Sequence, residues 1–329
     1  ERQIGHVIVA AIIQARCGSS RLPNKVLRRI GPRDEHKQHR PMLLHVIDRA
    51  RRIPGVNVVM VTTTTAPSDD AVVAVCRGAG VRWTRGQVPL QGHPGKNDVL
   101  AGYVLAAVTL DADIVIRLTA DCPLFDPAVA GSVLEAFRAH PACRYASNVH
   151  PPSWPDGCDV EVTSRVALEW ALAVALPGER EHVTTVIYRH AGSSVVNVAL
   201  PGGEDHSALK LSVDTAEDLA RVQRVHAHLS APDAYGWRET LAAHARAYPP
   251  PLEVRARRIF GPSPRTADRR AAYETGARAA ALPGGSGASA ANPYSTGEVE
   301  HVLHTAWLLG WEDVAALGQA RLVQTCTGG

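Results

Sequence analysis

The sequence predicts an α/β fold on a mainly parallel sheet, followed by a small α-helical segment at the C-terminus. Three observations carry this reading. Val7–Gln14 is a near-continuous apolar run bounded by polar residues, the mark of a strand buried on both faces. Strand-like and helix-periodic segments then alternate up to about His228, the pattern of a parallel sheet covered on both sides. Beyond that point the alternation fades into a Pro/Gly-rich stretch.

The elements follow in order. Leu43–Arg52 carries apolar residues at helical spacing, and Val56–Thr63 is rich in β-branched residues and reads as a strand. Asp69–Gly78 reads as a helix with Ser68 as its N-cap. Val99–Val108 reads as a helix and Asp113–Leu118 as a strand. Pro127–His140 reads as the next helix, with Asp126 as cap and Pro127 at its first position. In sheets of this kind ligands bind beyond the carboxyl ends of the strands.

With 329 residues, 45% of them hydrophobic, the chain can bury a substantial core. A net charge of +3 gives no bias toward nucleic acid or a membrane surface, and no apolar run is long enough to span a bilayer. Six cysteines form no C-x-x-C pair, so reduced thiols in a cytoplasmic setting are expected. Cys17 and Cys122 lie within motifs, which leaves open whether either thiol is reactive.

The most informative stretch is Ala11–Leu27. A buried strand ends in a loop holding Gly18, Ser19, Ser20 and three cations, Arg16, Arg21 and Lys25. Glycine lets backbone amides approach a ligand, successive amides cradle anions, and arginine grips phosphate in two-point contacts. Three cations on one loop repel one another without an anion, and a triphosphate is the natural partner. The Walker pattern is absent.

Ala11–Leu27 resembles the N-terminal signature of the SpsF-like cytidylyltransferases, relatives of the CMP-Kdo synthetases and acylneuraminate cytidylyltransferases. The resemblance continues in order through Arg117–Leu124, Ser147-Asn148, Pro155–Val162, Arg180–Thr184 and Leu211–Leu219. It implies a nucleotide-diphospho-sugar transferase domain, GT-A-like and Rossmann-like, over residues 1–248. It also implies transfer of CMP from CTP to a sugar or sugar-like acid, with pyrophosphate released, in nucleotide-sugar and polysaccharide biosynthesis. Nucleotide contacts are then expected from Gln14, Ala15, Arg16, Gly18, Ser19, Ser20, Arg21, Lys25, Arg117 and Asp121, with Arg16, Lys25 and Asp121 catalytic.

Asp121 follows a strand, and Asp214 follows the strand-like segment Lys210–Val213. Mg²⁺ binds one or two carboxylates together with phosphate oxygens and water. The resemblance implies that these two aspartates hold it, although Asp214–Glu217 also reads as a helix start. Acceptor contacts are expected from Asp156, Asp159 and Glu161, the last two sharing one face of a strand-like segment, and from Arg180, Glu181 and His182. Asn148 is expected to face the same site. Asn24 stands where the family has Gly and requires a left-handed backbone that Asn tolerates. Pro89–Asn97 and His36–Arg40 lengthen their connections.

Residues 249–264 read as a linker and 265–329 as a small helical module. Ala272–Arg278, Asn292–Tyr294 and Ala306–Trp311 resemble the ribosome modulation factor family. Few cations follow residue 280, which favours a protein partner over RNA. A homodimer is compatible with the sequence. Alternatives from other classes are a guanylyl or other-base transferase acting on a sugar phosphate, a glycosyltransferase of similar fold, and a non-catalytic nucleotide-binding regulator.

Overall fold

The computed structural model describes residues 7–31, 39–229 and 235–249. The chain divides into two compact units, Glu1–Ala243 and His244–Gly329. The module expected at 265–329, all but the first residue of the linker expected at 249–264, and Cys326 lie outside the described residues.

The elements are β1 (Val9–Gln14), β2 (Arg29–Ile30), β3 (Arg40–Pro41), α1 (Met42–Ala50), β4 (Val58–Thr64), α2 (Asp70–Gly78) and β5 (Arg82–Gln87). Then come α3 (Val99–Thr109), β6 (Ile114–Thr119), α4 (Pro127–Ala139), β7 (Tyr145–Ser147), β8 (Glu161–Ser164) and α5 (Arg165–Val174). The last are α6 (Thr185–Ala191), β9 (Val195–Asn197), α7 (Ala216–His226) and α8 (Trp237–Ala247).

Seven strands form one sheet in the order β5-β4-β1-β6-β8-β7-β9. Only β8 runs against the others, pairing antiparallel with β6 and β7. The sheet is therefore mainly parallel, as the alternating sequence predicts. The chain leaves β1 toward β4 on one side and later returns to add β6 on the other. That reversal opens a crevice beyond the carboxyl ends of β1 and β6.

The apolar run of β1 is continuous because both its faces are covered. Ala11 and Ile13 pack with Leu43 and Ile47 of α1 and Val133 and Leu134 of α4. Ala10 and Ile12 face the opposite layer, with Leu100 and Tyr103 of α3 and Leu168 of α5. Tyr103 donates to the Leu118 carbonyl at 2.7 Å, which satisfies its hydroxyl inside that layer.

Several local expectations are corrected. Asp69, not Ser68, occupies the N-cap of α2, because a short 3₁₀ turn over Pro67–Asp69 precedes the helix. Lys210–Val213 is not a strand: Lys210 makes one isolated bridge to Asp156, and the Val213 amide donates to the Asp121 carbonyl at 2.9 Å. Asp159 lies before β8, so it does not alternate with Glu161 along a strand. Asp126 caps α4 as expected, accepting from the Ala128 amide at 2.8 Å. Among the described residues no helix is long and apolar enough to cross a membrane.

Candidate active site

At the β1–β6 crevice lies a cleft of about 720 Å³. One wall is the loop after β1, with Gln14, Arg16, Gly18, Ser19, Ser20, Arg21 and Lys25. Its floor comes from Thr119, Ala120 and Asp121 at the end of β6, with Asp214 beside them. The opposite wall is Pro94, Gly95 and Lys96, together with Glu181.

The loop's shape is set by backbone contacts and one buried carboxylate. The Ser19 and Asn24 amides both donate to the Cys17 carbonyl, at 2.8 and 3.0 Å. Asn24 has φ +58°, the left-handed conformation expected for it. The Cys17 amide donates to Asp69 at 2.7 Å, and Asp69 also accepts from the Thr63 hydroxyl at 3.0 Å. Asp69 thus ties the loop to the end of β4, a role that no sequence pattern marks.

The loop's cations do not wait for an external anion, as their crowding suggested. The protein supplies carboxylates instead. Lys25 Nζ lies between two of them, 2.6 Å from Asp121 and 3.0 Å from Asp214, and donates to the Val213 carbonyl at 3.0 Å. Burial alone would lower its pKa, but the two carboxylates outweigh this and raise it. Arg21 also reaches Asp214, at 3.0 Å. Asp214 is held from behind by Lys210 at 3.1 Å, and its amide donates to Asp218, which caps α7 reciprocally with Thr215.

The far wall is cross-linked in the same manner. Arg180 donates to Asp98 at 2.8 Å and to the Leu172 carbonyl at 3.0 Å. The neighbouring Glu181 pairs with Arg16 at 3.4 Å and Lys96 at 3.3 Å. Just beyond, Val183 has φ +54°, and the Thr184 amide donates to the His182 carbonyl at 2.6 Å. This is a strained three-residue turn for a β-branched residue, held by burial of the Val183 side chain. Strain of this kind concentrates at ligand sites.

Residues 10–224 match the family model described as Cytidylyltransferase. The chain belongs to the cytidylyltransferase family. It is 28% identical over 222 residues to an uncharacterized protein of Methanocaldococcus jannaschii, covering 67% of this chain and 84% of that one. A solved cytidylyltransferase from Leptospira borgpetersenii superposes with a TM-score of 0.63 at 26% identity, covering 72% of this chain and 93% of that one. The protein is therefore a nucleotidyltransferase, and its mainly parallel sheet with flanking helices is the fold of its neighbours.

Not every residue expected at this cytidylyltransferase's site reaches the cleft. Ala15 is buried beside it. Arg117 turns to Glu161, which also accepts from the Tyr145 hydroxyl at 2.6 Å and from the Thr184 hydroxyl. Burial would raise the Glu161 carboxyl, but Arg117 and these donors hold it below its usual range. Asn148 is fully buried, its amide spent on the Cys158 carbonyl and the Val160 amide, both at 2.8 Å. Arg180 is spent on Asp98, and His182 is exposed outside the cleft lining. In each case a neighbouring buried group claims the polar atoms, which one sequence cannot reveal.

Asp156 and Asp159 lie near Cys122 behind the floor. The Pro155–Cys158 turn packs so closely on Leu211–Ser212 that a Cβ at Gly157, φ +105°, would sit 2.5 Å from the Ser212 amide. Only glycine fits there. Burial, then Asp156 and Glu161, push the Asp159 carboxyl up to about 6. A raised carboxyl favours the folded state when protonated. Its contribution is full below the ordinary value of 3.8 and is lost as pH rises through about 6. Asp159→Asn is therefore expected to flatten the fall in urea midpoint between pH 4 and pH 7. A wild-type pH profile in that variant would contradict this.

Neither motif thiol is poised to react. Burial and Asp69 push Cys17 up to about 12, and burial with Asp121 raises Cys122 well above the usual thiol range. Both are buried, as are Cys76 and Cys158. Alkylation of Cys17 and Cys122, read by peptide mass mapping, is expected to be slow in the native protein and fast in denaturant. Rapid native labelling of either would overturn this.

Proposed function

We propose that the cleft binds CTP between the Arg16–Lys25 loop and Asp121, and transfers CMP to a hydroxyl of a sugar-like acid. The carrying observation is the convergence of Arg21, Lys25, Asp121 and Asp214 at the crevice of a cytidylyltransferase fold. The acceptor oxygen attacks the α-phosphorus, the bond to the β-phosphate bridging oxygen breaks, and pyrophosphate leaves while the acceptor loses its proton. Positioning and charge neutralisation supply most of the catalysis in such transfers.

Each residue then has a task. Lys25 and Arg16 offset charge that builds on the departing pyrophosphate, with Arg21 assisting. Amides and hydroxyls of Gly18, Ser19 and Ser20 cradle phosphate oxygens. A Cβ at Gly18 would meet nothing within 4 Å, so the loop leaves room for a ligand there. Gln14 reads the base edge. Glu181 is the acceptor-side group that lines the cleft, with Asp156 and Asp159 supporting from behind.

Among the described residues no three His, Cys, Asp or Glu side chains form a metal cluster. The two converging carboxylates nevertheless fit Mg²⁺, which takes one or two carboxylates and completes its shell with phosphate and water. Asp121 and Asp214 would hold it, and it would neutralise phosphate charge and favour ionisation of the acceptor oxygen. The ordered motifs support the SpsF-like branch and a role in polysaccharide precursor synthesis, cysteines without a C-x-x-C pair support a cytoplasmic setting, and the tail's resemblance to the ribosome modulation factor family, with its few cations, supports a C-terminal module at 265–329 that engages a protein partner. Calorimetric titration tests the reading. CTP is expected to bind more tightly than GTP, UTP or ATP, and tighter in Mg²⁺ than in chelator. No nucleotide binding in either buffer would sink it.

A further inference from the structure

Lys96 is a cleft residue that belongs to none of the motifs. It comes from the connection Pro89–Asn97, whose backbone is closed on itself. The Leu90 amide donates to the Lys96 carbonyl at 3.0 Å, the Lys96 amide to the His93 carbonyl at 3.1 Å, and Pro89 bridges Asn97. At its base, the Asp98 amide donates to the Val88 carbonyl at 2.7 Å. The loop therefore presents Lys96 from a fixed frame, and its side chain stays 43% exposed.

The cations of the cleft fall into two groups. Lys25 and Arg21 gather at Asp121 and Asp214. Arg16 and Lys96 approach from opposite walls and share one carboxylate, Glu181. The two groups are held differently. Lys25 sits 2.6 Å from Asp121, within the range of a tight charge-assisted hydrogen bond. The Glu181 contacts, at 3.3 and 3.4 Å, are longer, and Lys96 is far more exposed than Lys25, the kind of ion pair that contributes little and exchanges easily. Charge points the same way. The lining carries four cations, Arg16, Arg21, Lys25 and Lys96, against three carboxylates, Asp121, Asp214 and Glu181. With Lys96 counted, the lining is net positive; without it, cations and carboxylates balance.

We propose that Lys96 is a triphosphate-binding residue supplied by the wall facing the phosphate loop, and that Glu181 occupies the Arg16–Lys96 pair until nucleotide arrives. An anion that replaces Glu181 at Lys96 is also within reach of Arg16, a residue of the phosphate loop. The nucleotide is therefore the occupant, and not the acceptor. Phosphate oxygens take both cations, and the Glu181 carboxylate is released toward the acceptor side. This rests on the reading of the cleft as a CTP site.

The test is calorimetry of the full chain with CTP and with CMP, both in Mg²⁺. Lys96→Ala is expected to weaken CTP roughly tenfold, as loss of one partly screened charged contact does, and CMP less than about twofold. Lys96→Arg is expected to restore most of the loss. Glu181→Gln frees both cations and is expected to tighten CTP a few-fold, a gain that shrinks when combined with Lys96→Ala. Wild-type CTP affinity in Lys96→Ala, or equal weakening of CTP and CMP, overturns the proposal. Failure of the wild-type protein to bind CTP overturns the underlying reading instead, so the two failures are distinct.

Discussion

Asp121→Ala is expected to lower kcat by roughly 10³-fold or more while leaving the fold intact, since it would remove a carboxylate that holds the ion neutralising phosphate charge, and losing such transition-state stabilisation has effects of this order. The fold is expected to survive because the side chain is 26% exposed and, among the described residues, its ion pair is with Lys25. Lys25 keeps Asp214 and the Val213 carbonyl. Loss of one partly exposed ion pair costs less than about 1 kcal/mol. Circular dichroism and the melting temperature read the fold, and pyrophosphate release reads the chemistry. Wild-type turnover in this variant would remove Asp121 from the mechanism. Asp214→Ala is a less clean probe, because Asp214 separates three cations, Arg21, Lys25 and Lys210, that would then repel one another.

The second large effect falls on stability. Arg117→Ala is expected to destabilise the fold by about 3 kcal/mol, because it leaves the buried Glu161 carboxylate without its cation. In a chain of this size that lowers the melting temperature by about 5 °C. The double variant Arg117→Met, Glu161→Gln removes both charges and is expected to recover most of the loss, since an uncompensated buried charge costs more than a missing pair. The sequence had placed Arg117 among nucleotide contacts. An unchanged melting temperature with weakened nucleotide binding would restore that placement and contradict the structural one.

These two aspects show what was legible in advance. The strand Val9–Gln14 announced itself because burial on both faces leaves a continuous apolar run. The loop after it was legible because glycine, serines and three cations in one short span have few structural uses. Asp121 and Asp214 were found by their positions in ordered motifs, and they meet at one ammonium. The short strands β7 and β9 escaped notice, because three residues carry too little periodicity to read, and β8 was read from Asp159 although it begins at Glu161. Pairing across the chain was equally hidden. Arg180 with Asp98, Asn148 with Cys158 and Val160, and Asp69 with Cys17 depend on contacts between segments that are distant in sequence. Lys96 was marked only as part of a lengthened connection. The one available signal was a lysine between Gly95 and Asn97 in a Pro/Gly loop, and it went unread.

The central claim is that this cleft joins CMP to a sugar-like acid. Pyrophosphate release is the measurement, with CTP, GTP, UTP and ATP each offered against a panel of sugar acids and sugar phosphates in Mg²⁺. Release is expected with CTP and a sugar acid, and is expected to be abolished in Asp121→Ala. Release with another nucleotide in preference to CTP, or none with any pair, would contradict it.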